Sequence, residues 1–199
     1  MNNRNLIYVI LAIVLILLAA AVYEFTRPVT YFGSLIEPPK PMPDFVLQSA
    51  NGPVKLSSFR GKYVALYFGY TSCPDICPTT LAALKAALNL LNGQDSQVQV
   101  IFVSVDYKRD TPEKLSNYMQ NFSPKFVGLV GTQSQTDQVT KDFGISYKLN
   151  DPDPATGAYS VDHTANILVL DHQGKLVLTW AYNQQPDEME SDLKILLRK

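Results

Sequence analysis

With 199 residues, 46% hydrophobic and 18% charged side chains and a net charge of −1, the chain has room for one globular domain plus an apolar appendage. That near-neutral balance excludes bulk electrostatic attraction to nucleic acid or to an anionic surface, so function has to rest on local chemistry.

The appendage comes first. Leu6 to Tyr23 carries no charge, is rich in Leu, Ile, Val and Ala, and reaches the lower length for a bilayer-spanning helix. No polar face interrupts it, which argues against a buried core helix. Ala19, Ala20 and Ala21 could form a signal-peptide cleavage site, but the apolar run exceeds the usual signal core, so a retained anchor over residues 1–23 is expected. No Cys follows it to carry a lipid. Arg4 and Arg27 flank the run on opposite sides, so the charge bias is slight. A short N-terminal tail ordinarily stays in the cytoplasm. That gives a single-pass protein of the cytoplasmic membrane with its remaining residues on the periplasmic side, where two cysteines can pair.

Residues 24–43 hold Pro28, Pro38, Pro39, Pro41 and Pro43, a density that predicts a semi-rigid extended tether. The folded domain is then expected over 44–199. In chain order, Phe45–Gln48 and Val54–Leu56 read as short strands about Asn51-Gly52. Val64–Tyr70 is a continuous apolar run, the mark of a buried central strand. A helix follows from Pro78 to Leu91, with Leu81, Leu84, Leu88 and Leu91 on one stripe and Asn92-Gly93 as its stop. Val98–Val105 reads as the next buried strand. Asp110-Thr111-Pro112-Glu113 opens a further helix. A strand at Phe126–Val130 and a helix at Gln135–Phe143, ended by Gly144, come next. Ile167–Leu170 and Lys175–Trp180 form a hairpin, and a helix over Pro186–Arg198 begins acidic and ends basic. This α/β alternation, then hairpin, then helix fits a thioredoxin-like three-layer sandwich.

Both cysteines of the chain lie in Thr71-Ser72-Cys73-Pro74-Asp75-Ile76-Cys77-Pro78, between a central strand and a helix, where open α/β sheets collect reactive groups. Pro78 cannot sit in a helix interior, so regular helix starts near Ile76 and Cys77 lies beside the N-cap. The loop can bend both sulfurs to one point, for a shared metal or a redox disulfide. Free N–H groups there should lower the thiol pKa values. The spacing is not the C-x-x-C of dithiol oxidoreductases, and Tyr70 stands where a peroxiredoxin-type loop has Thr. His163, in Asp162-His163-Thr164 ahead of the hairpin, is placed by this topology against the cysteine loop. Two thiolates and an imidazole are a soft set suited to Cu(I), and to Cu(II) with one more ligand. Structural zinc would want a fourth donor. His172 falls in the hairpin turn and reads as a solvent-facing turn residue. The loop over 150–158 holds Pro152, Pro154 and Gly157 and little apolar surface, so His163 is expected on a loosely ordered arm.

Tyr67 to Pro78, Ser104-Val105-Asp106, Arg109-Asp110-Thr111-Pro112-Glu113, Phe122-Ser123-Pro124-Lys125, Gly131-Thr132 and Asp162-His163-Thr164 together resemble the Sco/SenC family. The resemblance runs in order from Pro43 to the C-terminus, and its specific part is the C-x-x-x-C-P loop with the distant D-H-T. It implies a thioredoxin-like copper protein with Cys73, Cys77 and His163 as ligands. Asp106 matches an acidic residue near the metal, as a further Cu(II) ligand or a residue behind the ligands. Where the family often has Pro after that Asp, this chain has Tyr107. The implied role is assembly of the dinuclear copper centre of cytochrome c oxidase, with its subunit II as partner. The chain would act by delivering copper or by reducing the recipient's cysteines, and other copper chaperones or thioredoxin-like reductants would be further partners. A copper-dependent redox sensor is a third reading.

Overall fold

The computed structural model describes residues 3–26 and 29–198; for Asn3, Leu6 and residues 24–26 it describes the backbone alone. Arg27 and Pro28, both used in the sequence reading, lie outside the described residues. The chain divides into two compact units, the second starting at Tyr31.

The first unit is a single helix, α1 (Asn3–Thr26). Its consecutive residues Leu15, Ile16 and Leu17 are 67%, 66% and 63% exposed, so no face of it is buried. Among the described residues no helix is long and apolar enough to cross a membrane. The anchor expected over Leu6–Tyr23 is therefore not shown, and the side chain of its first residue lies outside the described set.

The second unit is built on a six-stranded mixed sheet. In chain order its elements are β1 (Ser34–Pro41), β2 (Val46–Ser49), β3 (Gly52–Lys55), β4 (Tyr63–Gly69), α2 (Ile76–Asn89), β5 (Val98–Ser104), α3 (Pro112–Gln120), β6 (Val127–Leu129) and α4 (Gln133–Phe143). Then come β7 (Tyr147–Leu149), β8 (Val161–His163), β9 (Ile167–Leu170), β10 (Lys175–Trp180) and α5 (Pro186–Leu196). The sheet order is β1-β10-β9-β4-β5-β6, with β2–β3 and β7–β8 as separate two-stranded ladders. β4 is buried along its whole length, parallel to β5 on one side and antiparallel to β9 on the other. That burial on both faces is why its sequence is an unbroken apolar run.

Local sequence signals set the helix ends. Thr111 accepts from Lys114 N and Pro112 opens α3, while Thr132 and Gln135 form a reciprocal capping box on α4. Gly144, at φ 70°, closes α4 in the left-handed conformation that glycine adopts without penalty.

One expectation is corrected. The proline-rich segment is not unpacked throughout: Ser34–Pro41 is the edge strand β1, paired antiparallel with β10 from Ser34↔Thr179 to Pro41↔Lys175. The register shifts between Leu35 and Lys40, around Pro38 and Pro39. Composition misleads here because the fixed φ of proline suits an extended tether and an edge strand equally, and an outer edge needs no N–H from it.

The start of this unit is fixed by Asp192 of α5, which is fully buried. Its carboxylate accepts from Phe32 N at 2.8 Å, Gly33 N at 2.9 Å and Trp180 Nε1 at 2.8 Å. Replacing Asp192 by Ala removes all three charge-assisted bonds and strands the buried indole N–H of Trp180. The expected loss is about 3 kcal/mol of unfolding free energy, measured by urea denaturation. An unchanged midpoint would mean that water satisfies these donors instead.

Candidate metal centre

The site forms where β4 ends. After Gly69 the chain makes a turn in which Cys73 N bonds Tyr70 O at 3.3 Å, and α2 then starts with Asp75 as N-cap. Pro78 thus falls in the first turn, where its missing N–H costs nothing, and Cys77 lies one residue ahead of it. Cys77 is fully buried and Cys73 is partly exposed. Gly69 is required for this approach: a Cβ there would stand 2.8 Å from Cys77 Sγ and 2.8 Å from the Phe102 ring.

His163 arrives on the far ladder. It ends β8, paired opposite Tyr147 of β7. Its Nε2 lies 3.6 Å from Cys77 Sγ, and its Nδ1 lies 3.0 Å from the Thr164 carbonyl oxygen. A carbonyl can only accept, so Nδ1 carries the proton and Nε2 presents its lone pair to the sulfurs. Tyr67 and Tyr70 pack edge-on to the imidazole, with centroids at 6.3 Å and 5.9 Å. The ligand atoms of Cys73, Cys77 and His163 all lie within 4.8 Å of one another. All three side chains that the sequence nominated are brought together.

Electrostatics divide the two thiols. Burial alone would raise Cys73, but hydrogen bonds from the backbone of Cys77 and Asp75 outweigh it and hold the group below its ordinary value. Cys77 is pushed up to about 12, mostly by burial, with the adjacent Cys73 charge adding to it. The expectation of two lowered thiols therefore holds for Cys73 and fails for Cys77, because burial there exceeds what the helix terminus supplies. His163 is lowered by burial and stays neutral near pH 7, as a ligand must be. Tyr67 donates from its hydroxyl to Cys77 Sγ at 3.6 Å, and its own acidity is suppressed by burial and by Cys77.

Asp106 does not join the donor cluster. It is fully buried, its carboxylate accepting from Tyr159 Oη at 2.7 Å and from Arg109 Nε. Its backbone carbonyl accepts from Arg109 N and Asp110 N, so the turn forms with Tyr107 in the place of a proline. His172 sits in its hairpin turn with its ring edge-on to Tyr63, away from the cysteines. Sequence reasoning missed Tyr67, Arg109 and Tyr159 as neighbours of the site. Tyr67 and Arg109 stood in quoted motifs and Tyr159 in none, and no spacing rule announces a contact made across separate loops.

Residues 34–198 match the SCO1/SenC family model. The chain belongs to the SCO1/SenC family. It is 36% identical over 152 residues to the SCO2-like protein of Rickettsia conorii, covering 76% of this chain and 74% of that one. The solution structure of apo Sco1 from Thermus thermophilus superposes with a TM-score of 0.77 at 42% identity, over 84% of this chain and 97% of that one. Copper-bound ScoI from Bradyrhizobium japonicum superposes with a TM-score of 0.71 at 35% identity, over 78% and 99%. The mixed sheet and its helices are thus the thioredoxin-like fold of the Sco proteins.

The division between the thiols is directly measurable. A limiting alkylating reagent at pH 7.5 should modify Cys73 well before Cys77, because the thiolate is the reactive form and Cys77 is both protonated and buried. Peptide mapping by mass spectrometry reads the order, and equal labelling of both would contradict the assigned environments.

Proposed function

We propose that the chain binds one copper ion through Cys73, Cys77 and His163 and serves as a copper metallochaperone in assembly of the dinuclear copper centre of cytochrome c oxidase. The carrying observation is the donor set itself: two sulfurs and one imidazole nitrogen within 4.8 Å of one another, the nitrogen lone pair already aimed at the sulfurs. Three soft donors suit Cu(I), and the partly exposed Cys73 leaves a side open for a recipient's thiolate to enter. Copper held by a family member of 35% identity supports the same metal here. In this role the ion is cargo: Cys73 and Cys77 hold it, Thr164 O orients the imidazole of His163, and the Tyr67 hydroxyl stabilises charge on Cys77. Subunit II of the oxidase is the recipient that the family points to. The uncharged apolar run Leu6–Tyr23 of the sequence supports a single-pass anchor that keeps the domain on the periplasmic face of the cytoplasmic membrane.

A second reading is favoured by the unequal thiols. A lowered Cys73 beside a raised Cys77 is the asymmetry of an attacking and a resolving thiol, which suits reduction of the recipient's cysteines. His163 separates the two, since dithiol exchange does not need an imidazole ligand.

Cu(I) competition titration of the full chain in detergent tests the first reading. Wild type should bind one equivalent. Cys73→Ser and Cys77→Ser should each lose tight binding, and His163→Ala should weaken it by roughly 10- to 100-fold while leaving disulfide-exchange rates near wild type. Near-native affinity in either cysteine variant would sink the three-donor site.

The raised Cys77 pKa fixes a pH dependence. Below about pH 12 the metal-free thiol is protonated, and binding must expel that proton. Copper affinity should therefore rise at least about tenfold per pH unit between pH 7 and 9 and fall as the solution is acidified. His163, depressed and neutral in this range, adds no opposing proton. A flat profile in the same titration would show that Cys77 is not a ligand in its thiolate form.

A further inference from the structure

Beside the donor cluster, three side chains close on one another without touching the sulfurs. Arg109, in the connection between β5 and α3, directs Nε to the buried carboxylate of Asp106 and donates from Nη1 to the Tyr159 carbonyl at 2.8 Å. Its guanidinium carbon lies 3.5 Å above the centre of the Tyr159 ring, and the Tyr159 hydroxyl donates back to the second oxygen of Asp106 at 2.7 Å. Stacking, a charge-assisted pair and two further hydrogen bonds thus hold one residue, Tyr159, against the body of the fold. Only the planar, many-donor guanidinium can make all of these at once.

What Tyr159 carries is the ligand arm. Val161–His163 is β8, whose ladder partner is β7 and not the six-stranded sheet. The ladder is extended at both ends, by Asn150 N to Ser160 O at 3.0 Å and by Thr164 N to Ser146 O at 2.9 Å. These bonds are internal to the arm and do not dock it. Docking comes from burial of Val161 and Ile145, from the Tyr147 hydroxyl, which donates to Asp137 of α4, and from the Arg109–Asp106–Tyr159 closure. Arg109 also lies 5.8 Å from the Tyr70 ring, whose centroid is 5.9 Å from His163 on its edge. Arg109 therefore holds the arm directly at Tyr159 and lies over Tyr70, one of the two rings that pack on the imidazole. The loosely ordered arm expected from the composition of residues 150–158 did not include this clamp, which falls just beyond that loop.

We infer that Arg109 is a positioning residue for His163, latching the β7–β8 arm at Tyr159 so that the imidazole stays within reach of Cys73 and Cys77. The inference deepens the copper-site reading above and rests on it for its binding readout. Residues that orient a ligand from behind typically contribute 10- to 100-fold in metal affinity, and Arg109 is placed to contribute on that scale.

A double-mutant cycle in the full chain tests it. Cu(I) competition is measured for wild type, Arg109→Ala, His163→Ala and the double variant. Arg109→Ala should lower affinity roughly 10- to 100-fold when His163 is present and by less than about twofold when it is absent. Equal losses in both backgrounds would assign Arg109 to general stability and overturn the latch. Amide exchange of the metal-free protein gives the second readout: Arg109→Ala should speed exchange at Asn150 and Thr164 about tenfold or more while Val105, bonded to Gly69 O, is unchanged. Unchanged exchange on the arm would also overturn it. Tyr159→Leu, which leaves the Arg109–Asp106 pair intact, should reproduce both results, and it carries the test if Arg109→Ala does not fold. Arg109→Lys keeps the charge beside Asp106 but not the stack. Full wild-type behaviour in that variant would show that charge compensation, and not the latch, is what matters. If wild type and His163→Ala bind copper equally, the ligand assignment falls, while the exchange data still decide whether the arm is latched.

Discussion

The site depends on how closely Cys77 approaches the end of β4. Gly69 ends that strand, pairs with Ser104 of β5, and its carbonyl accepts from Val105 N at 2.8 Å, so its backbone cannot move aside. Its missing side chain is the space into which the Cys77 sulfur packs. Because β4 is central, with β5 parallel on one side and β9 antiparallel on the other, the position of that sulfur is set by the best-buried part of the molecule. The same sheet fixes the turn through Cys73 and the start of α2. A ligand pair held this way costs little further ordering when a metal arrives.

From that placement follows the inequality of the two sulfurs. Cys77 is buried against Tyr67 and resists ionisation, whereas Cys73 is partly exposed with backbone N–H groups turned to it. One sulfur anchors and the other meets the surroundings. A donor of metal and a donor of electrons both need that division, which is why the fold serves either chemistry and why His163 is the residue that tells them apart. The imidazole comes from a different kind of structure, a short ladder outside the main sheet, tied down by stacking and a buried carboxylate.

The cysteine loop, its proline-enforced helix start and the D-H-T histidine were legible in the sequence because each is a local pattern with a local cause. So were β4, β5 and four of the helix starts or stops, where periodicity and capping residues agree. Residues 34–41 were not, since proline reports a backbone angle and not whether a neighbouring strand is present. β7 and β8 were missed because three-residue strands carry no period, and they pair only with each other across a long loop. Asp106 was matched only through the family resemblance to an acidic residue near the metal, as a further ligand or a residue behind the ligands, and its carboxylate is outside the donor cluster. Its true partners, Arg109 and Tyr159, are 3 and 53 residues away, and nothing in the spacing links them.

The Asp192 carboxylate joins positions 160 residues apart, and β1 can seat only against β10. During synthesis the proline-rich strand emerges early yet has no partner until nearly the whole chain has followed it. For that interval β10, once paired with β9, would present an uncovered edge to any other extended segment. Such long-range closure is slow, because loop entropy must be lost before any contact repays it. The prolines and Lys40 on β1 then take on another meaning: a strand that waits unpaired is protected by residues that template poorly for foreign strands.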